Sequence, residues 1–212
     1  MNVALFGDRA VLVSEVDKKD FNHVANWLKI TLNDEGYEIR KGLDTILVES
    51  NFPTVEIEDK VESTLAWFTK DKGEENKIES SQVIEIPCLY DGEDLETLSR
   101  KLNISVDELI TIHKNILWKV ALVGFAPGFP YLVPADESKV NIFIKASRLD
   151  TPRSAVPAGS VAIAAGMSAI YPSQMPGGWN LIGRTQTVLF DATSMTPSLL
   201  KVDDLVKFVE VK

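Results

Sequence analysis

The sequence predicts an α+β protein, with a small N-terminal α/β domain over residues 1–80 and an antiparallel β-barrel over 82–212. Three observations carry that reading. Helix-period and strand-period apolar patterns alternate as far as Phe68. A polar, pattern-free run at 69–81, Thr-Lys-Asp-Lys-Gly-Glu-Glu-Asn-Lys-Ile-Glu-Ser-Ser, reads as a linker. Beyond it, many short apolar runs are cut by proline and glycine with few helical stretches between them, the pattern of a closed barrel.

In the first domain, Val3–Phe6 and Ala10–Ser14 flank Gly7-Asp8-Arg9 as a hairpin. Phe21, Val24, Ala25, Leu28 and Leu32 fall at helical spacing, and Gly36 is a natural stop. Tyr37–Arg40 and Thr45–Glu49 read as two strands. Ile57, Val61, Leu65 and Phe68 mark a second amphipathic helix. The second domain opens with a strand at Val83–Tyr90. A helix then carries Leu95, Leu98 and Leu102, and a second, with Leu109, Ile112 and Ile116, is started by the capping box Ser105-Val-Asp-Glu108. The remaining strands are predicted at Val120–Val123, Ile142–Ile144, Val161–Ala164, Ala169–Tyr171, Leu181–Thr185, Val188–Phe190 and Val206–Val211.

Length and composition suit two small globular domains: 212 residues, 45% hydrophobic and 25% charged. A net charge of −9 argues against nucleic acid as a partner, because phosphate binding needs basic surface. The opening Met-Asn-Val-Ala-Leu-Phe-Gly-Asp-Arg lacks a basic segment followed by an apolar run, and Val120–Phe125, the longest apolar stretch, cannot span a bilayer. A cytoplasmic protein without membrane contact is expected. The single cysteine, Cys88, falls in a strand and reads as a buried bystander. The charge is uneven, −7 over residues 1–82 and −2 over 83–212. Within 138–190, Lys139, Lys145, Arg148, Arg153 and Arg184 face only Asp150, so an anionic small molecule would find that region attractive.

Residues 124–131, Gly-Phe-Ala-Pro-Gly-Phe-Pro-Tyr, form the most unusual run in the chain. Pro127 and Pro130 fix φ and lack an N–H, and Pro127-Gly128 suits the centre of a type II turn. A stiff loop walled by Phe125, Phe129 and Tyr131 is expected, more a binding surface than a hairpin end. Thr-Pro-Arg-Ser-Ala-Val-Pro-Ala-Gly-Ser at 151–160 and Tyr-Pro-Ser-Gln-Met-Pro-Gly-Gly-Trp-Asn-Leu-Ile-Gly-Arg at 171–184 have the same character. Together, GFAPGFPYL, the PRxxVPAGSV stretch and YPxxxPGGWxLIGRT closely resemble the family of the 5-oxoprolinase B subunit. That family is also called allophanate hydrolase subunit 1, kinase A inhibitor, or the carboxyltransferase subdomain C/D family. The resemblance covers the whole chain and is dense from about residue 84 onward. It implies a cyclophilin-like barrel after a small α/β domain. It also implies a cyclophilin-fold partner like the 5-oxoprolinase C subunit, and a third subunit, which together open 5-oxoproline to glutamate with ATP. One branch of the family binds and inhibits a sensor histidine kinase, and related chains act on urea-derived carbamate.

The residues themselves offer little conventional chemistry. There is no metal-ligand spacing, no Walker-type ATP cradle and no nucleophile elbow, and no biotin attachment site is recognised. ATP is therefore expected of the complex, and its binding to this chain is left open. Arg153 and Arg184 are candidate carboxylate binders or else structural pairs, with Arg148 a weaker third. His113 is a candidate proton carrier, or a histidine favoured by a helix C-terminus. Ala158-Gly159-Ser160 offers consecutive amides as an anion nest. Tyr171, Gly177, Gly178 and Trp179, with the aromatics of 125–131, would line an apolar pocket or plug a barrel end. The family commonly has an amide and a threonine where this chain has Met167 and Ser168, and Glu-Tyr where it has Leu117-Trp118.

Overall fold

The computed structural model describes residues 1–32, 35–70, 83–136 and 141–212. The chain divides into two compact units, Met1–Ile78 and Glu79–Lys212. The predicted linker lies outside the described residues except for Thr69 and Lys70, which close a helix.

The first unit is a four-stranded antiparallel sheet backed by two helices. Its elements are β1 (Asn2–Leu5), β2 (Ala10–Ser14), α1 (Lys18–Leu32), β3 (Tyr37–Lys41), β4 (Ile46–Ser50) and α2 (Thr54–Lys70). The order across the sheet is β1-β2-β4-β3. Strict alternation on β2 and β4 turns Val11, Val13, Ile46 and Val48 to one face. Those residues pack on Phe21, Val24, Leu28 and Leu32 of α1 and on Ile57, Val61 and Leu65 of α2, as the helical spacing predicted.

The second unit contains β5 (Val83–Cys88), α3 (Leu95–Leu102), α4 (Val106–Asn115), β6 (Trp118–Val123), β7 (Pro130–Pro134), β8 (Arg153–Val156), β9 (Ser160–Ala164), β10 (Met167–Ile170), β11 (Met175–Gly177), β12 (Asn180–Arg184) and β13 (Leu205–Glu210). Seven strands form one sheet in the order β12-β9-β10-β7-β6-β13-β5. Its two edges meet: Leu89, just past β5, and Arg184 of β12 exchange backbone hydrogen bonds of 2.9 and 2.8 Å. Gly183 makes that seam possible, since a Cβ there would fall 2.5 Å from the Leu89 carbonyl oxygen. The α+β class with a barrel holds, but the barrel is mixed and not purely antiparallel. β13 runs parallel to β5 from Leu205↔Val83 to Glu210↔Cys88. Almost the whole unit separates these two strands in sequence, so no tight hairpin dictates their direction.

Three local expectations change. Ile142–Lys145 is a 3-10 helix, capped by Asn141 Oδ1 accepting from the Phe143 amide at 3.0 Å. Val188–Phe190 forms no strand; only Phe190 pairs, through an isolated bridge to Ser198. The proline-cut runs, in turn, hold strands. β7 starts at Pro130, and β8 pairs with β11 as a two-stranded ribbon that carries Pro176. A ribbon has two edges, where a missing N–H is tolerated.

Residues of β9 alternate between two cores. Val161 and Ile163 join Trp118, Leu132, Ile182 and Phe208 in the main core, which also takes Leu95, Leu98 and Leu102 of α3, Leu109 of α4 and Phe143. Ala162 and Ala164 face the other side of the sheet. There they join Phe129, Val156, Ala169, Tyr171, Trp179 and Leu181.

Candidate functional site

The three motif segments converge on that second, smaller core. Phe129 closes a type II turn, its amide donating to Ala126 O at 3.0 Å, with Pro127 at the second position and Gly128 at φ +77° at the third. Gly128 is also pressed against Phe190, where a Cβ would sit 2.6 Å from the phenylalanine Cβ. Phe129 then meets Tyr171 edge-on at 5.3 Å, Tyr131 at 5.1 Å and Trp179 at 6.4 Å. Gly177 lies against the Tyr171 ring and Gly178 against Pro152. Phe129, Tyr171 and Trp179 are each at most 5% exposed. These aromatics are therefore a packed core and not the walls of an open pocket, because small Ala162, Ala164 and Ala169 let the rings settle onto the sheet. A shallow groove lies elsewhere, lined by Glu35, Tyr37, Phe52, Glu56, Asp59, Lys60 and Ser63 of the first unit. It contains none of the predicted site residues.

Two aromatic residues of the cluster reach solvent. Tyr131 is partly exposed and packs on Trp179 at 6.0 Å. Phe125 is 70% exposed and sits at φ +71°, a left-handed conformation costly for a bulky side chain. The Arg148 guanidinium lies 6.0 Å from the Trp179 ring centre, a cation–π contact. Burial pushes the Tyr131 hydroxyl pKa up, with Arg148 opposing that shift. Among the described residues, Arg148 has no carboxylate partner.

Arg153 and Arg184 are engaged elsewhere. Arg153 Nη2 donates to both oxygens of Asp94 at 2.8 and 2.9 Å, and its Nε contacts Glu93 at 2.8 Å. Asp94 also accepts the Leu181 amide at 2.7 Å, so one buried carboxylate ties α3 to β8 and β12. With its carboxylate thus used, Asp94 gives α3 no side-chain cap. Arg184 contacts Asp91 at 2.8 Å on the surface. The local positive excess read from 138–190 is thus offset by 91–94, acids distant in sequence that fold onto the arginines. Three acids in four residues were the available signal, and matching them to particular arginines needed the fold. Lys139 lies outside the described residues.

The anion nest is also taken up internally. The Gly159 amide donates to Tyr171 O at 2.7 Å, the Ser160 amide to Pro157 O at 3.3 Å, and Ser160 Oγ to the same carbonyl at 2.8 Å. Bonds to Tyr171 and Pro157 leave those two amides nothing to offer an anion; Ala158 is simply exposed.

His113 is completely buried and is neither a solvent-facing proton carrier nor a cation at a helix end. Burial pushes its pKa down to about 3, so the ring is neutral. Ser168 Oγ donates to Ala162 O at 3.2 Å, so it accepts from His113 Nε2 at 3.0 Å; His113 Nδ1 accepts from the Tyr90 hydroxyl at 2.8 Å. Ser168, a departure from the family pattern, is thus the histidine's partner. Leu117 and Trp118 do not behave alike: Trp118 is fully buried and donates to His113 O at 3.1 Å, whereas Leu117 is 37% exposed. Cys88 is buried, its thiol pushed up to about 12 by desolvation, and is inert as a nucleophile. His23 is exposed on α1.

Among the described residues no three histidine, cysteine or acidic side chains gather around a metal position. No helix among them is long and apolar enough to cross a membrane.

Fold and site together define a two-unit α+β protein whose barrel carries a proline-rich aromatic face. The chain belongs to the family of the carboxyltransferase domain, subdomain C and D, whose model matches residues 1–200. It is 38% identical over 185 residues to the B subunit of 5-oxoprolinase from Bacillus subtilis, covering 86% of this chain and 72% of that one. It is 34% identical over 174 residues to the B subunit of 5-oxoprolinase from Escherichia coli O157:H7, covering 81% of this chain and 76% of that one. The crystal structure of TTHA0988 superposes on 96% of this chain with a TM-score of 0.73 at 28% identity. This chain spans 40% of that longer one.

Proposed function

We propose that this chain is the B subunit of an ATP-dependent 5-oxoprolinase, acting with a C-type cyclophilin-fold chain and a third subunit to open 5-oxoproline to glutamate. The observation that carries the reading is the 38% identity, over 86% of this chain, to a protein of that name. The chemistry is consistent with a shared site. A lactam at neutral pH needs an activated carbonyl. Phosphorylation of its oxygen by ATP, addition of water at the carbon and cleavage of the C–N bond give glutamate, ADP and phosphate. Among the described residues no nucleophile stands beside a usable base: His113 is buried and neutral, Cys88 is protonated, and Ser160 is bonded to Pro157. The reacting groups on this reading come from partner chains. The face carrying Phe125, Tyr131 and Arg148 is the part of this chain that meets the substrate carboxylate, with Arg148 as its counter-charge.

The test is reconstitution of the full chain with candidates for the other two subunits, measuring ATP-dependent release of glutamate from 5-oxoproline. Turnover that requires all three chains supports the reading. An assembled complex with no turnover, or capture of a histidine kinase whose autophosphorylation this chain slows, overturns it. Within an active complex, Arg148→Ala is expected to raise KM about tenfold with the assembly intact.

A further inference from the structure

The sheet of the first unit has two edges of unlike character. β3 is protected: Glu38 and Arg40 pair along it at 3.1 Å, and Arg40 also reaches Glu49 at 3.1 Å. Charged edges of this kind repel stray strands. β1, Asn-Val-Ala-Leu, has neither charge nor proline, and three of its four residues are exposed. Its outward-facing groups follow from the register. The Phe6 amide donates to Ala10 O at 2.9 Å, so Ala4 and Asn2 also face β2, and the peptide groups of Val3 and Leu5 point to the open side. Among the described residues β1 pairs with β2 alone.

What lies over that edge identifies its occupant. Leu5 and Phe6 are 54% and 56% exposed, and Val55 at the start of α2 is 61% exposed. Thr54 Oγ1 donates to Gly7 O at 3.3 Å, which holds that end of α2 against the β1–β2 turn. Along α2, Trp27 of α1 donates to Thr64 O, and Lys60 pairs with Glu35; these mark the flank toward α1 and β3. At 100° per residue, Glu58 and Glu62 lie on the opposite flank, above β1. They stand four apart, a like-charge spacing that weakens a helix, and neither has an ion-pair partner among the described residues.

We propose that the β1 edge takes an extended segment of a partner chain as a fifth strand. The segment alternates apolar with basic residues. Its backbone bonds the free peptide groups of Val3 and Leu5. Leu5, opposite Val11 in the register, faces the helices, so the basic side chains take that face. There their stems cross Leu5 and Val55 and their charges meet Glu58 and Glu62. The apolar side chains take the opposite face, beside Phe6. A second copy of this chain is a poorer occupant. It would bring two Glu58–Glu62 pairs together in a region already carrying −7 over residues 1–82. The proposal does not rest on the enzymatic reading and concerns a surface of the first unit alone.

The test uses the full chain and two capped peptides long enough to span β1, one alternating valine with lysine and the other valine with glutamate. The lysine peptide is expected to bind at least about tenfold more tightly. It is also expected to slow amide exchange at Val3 and Leu5 by at least about tenfold, leaving Phe6, already bonded to Ala10, unchanged. Leu5→Pro removes an outward N–H and should abolish that protection. The surface pair Glu58→Gln with Glu62→Gln, which leaves the fold untouched, should weaken the lysine peptide about tenfold. Equal affinity for both peptides overturns the proposal, as does exchange at Val3 and Leu5 that binding leaves unaltered. Dimerisation through β1 without peptide affinity overturns it in favour of self-pairing.

Discussion

His113 shows how far a single environment decides a side chain's chemistry. Two aromatic rings approach it within 5.2 Å, Phe208 and Trp118, and both its nitrogens are engaged. The folded chain holds it neutral down to about pH 3, whereas an unfolded histidine protonates near pH 6.5. Between those values the unfolded state binds the extra proton, so stability falls as pH is lowered through that window. Urea unfolding from pH 7 to pH 4 should show this loss, and His113→Gln should flatten the slope. The arginines make a second contrast. Arg153→Ala strands the buried Asp94 carboxylate and should cost about 2–4 kcal/mol. Arg184, with its side chain 66% exposed, should cost at most about 1 kcal/mol on the same change. Denaturant midpoints of the two variants decide whether the pairing is as unequal as its burial.

The loop between β6 and β7 combines a relaxed turn with a strained tip. Pro127-Gly128 supplies the geometry a type II turn needs, and Gly128→Ala should destabilise by about 1–3 kcal/mol through φ and through Phe190. Phe125, two residues earlier, is the reverse case. Glycine there would relieve the left-handed strain while losing the 5.5 Å edge contact with Phe129. The two effects are each about 1 kcal/mol, so Phe125→Gly should leave the thermal midpoint nearly unchanged. A fall in turnover of the assembled complex, with no fall in stability, would mark Phe125 as a contact residue. Unchanged turnover would leave its strain without a purpose. The β8–β11 ribbon supports this loop from the other side through Val156 and Met175, both packed in the aromatic core.

Each unit closes its own core. Val11, Val13, Ile46 and Val48 with α1 and α2 form one, and the barrel unit holds the main and aromatic cores. A fragment of residues 83–212 should therefore fold alone, with a cooperative unfolding transition and near-ultraviolet dichroism from Trp118 and Trp179. Loss of both signals in the fragment would show that the barrel depends on the first unit.

Local pattern was enough for whatever depends on near neighbours. The spacing of Phe21, Val24, Leu28 and Leu32, the alternation along β2 and β4, the Ser105 cap, whose Oγ accepts the Glu108 amide at 3.1 Å, and the Pro127-Gly128 turn were all legible. Each depends on residues at most four apart or on backbone sterics. The parallel β5–β13 pair, the Leu89–Arg184 seam and the Asp94–Arg153 clasp were not, because each joins residues at least 59 positions apart. Ile142–Ile144 misled for a related reason: an apolar run takes its form from the partner it finds, and here that partner is a core and not a strand. The motif residues singled out in the sequence do converge, on one face of the barrel. Their roles were decided by long-range pairing, which buried Phe129, Tyr171 and Trp179, offset Arg153 and Arg184 with acids from 91–94, and left Phe125, Tyr131 and Arg148 facing solvent.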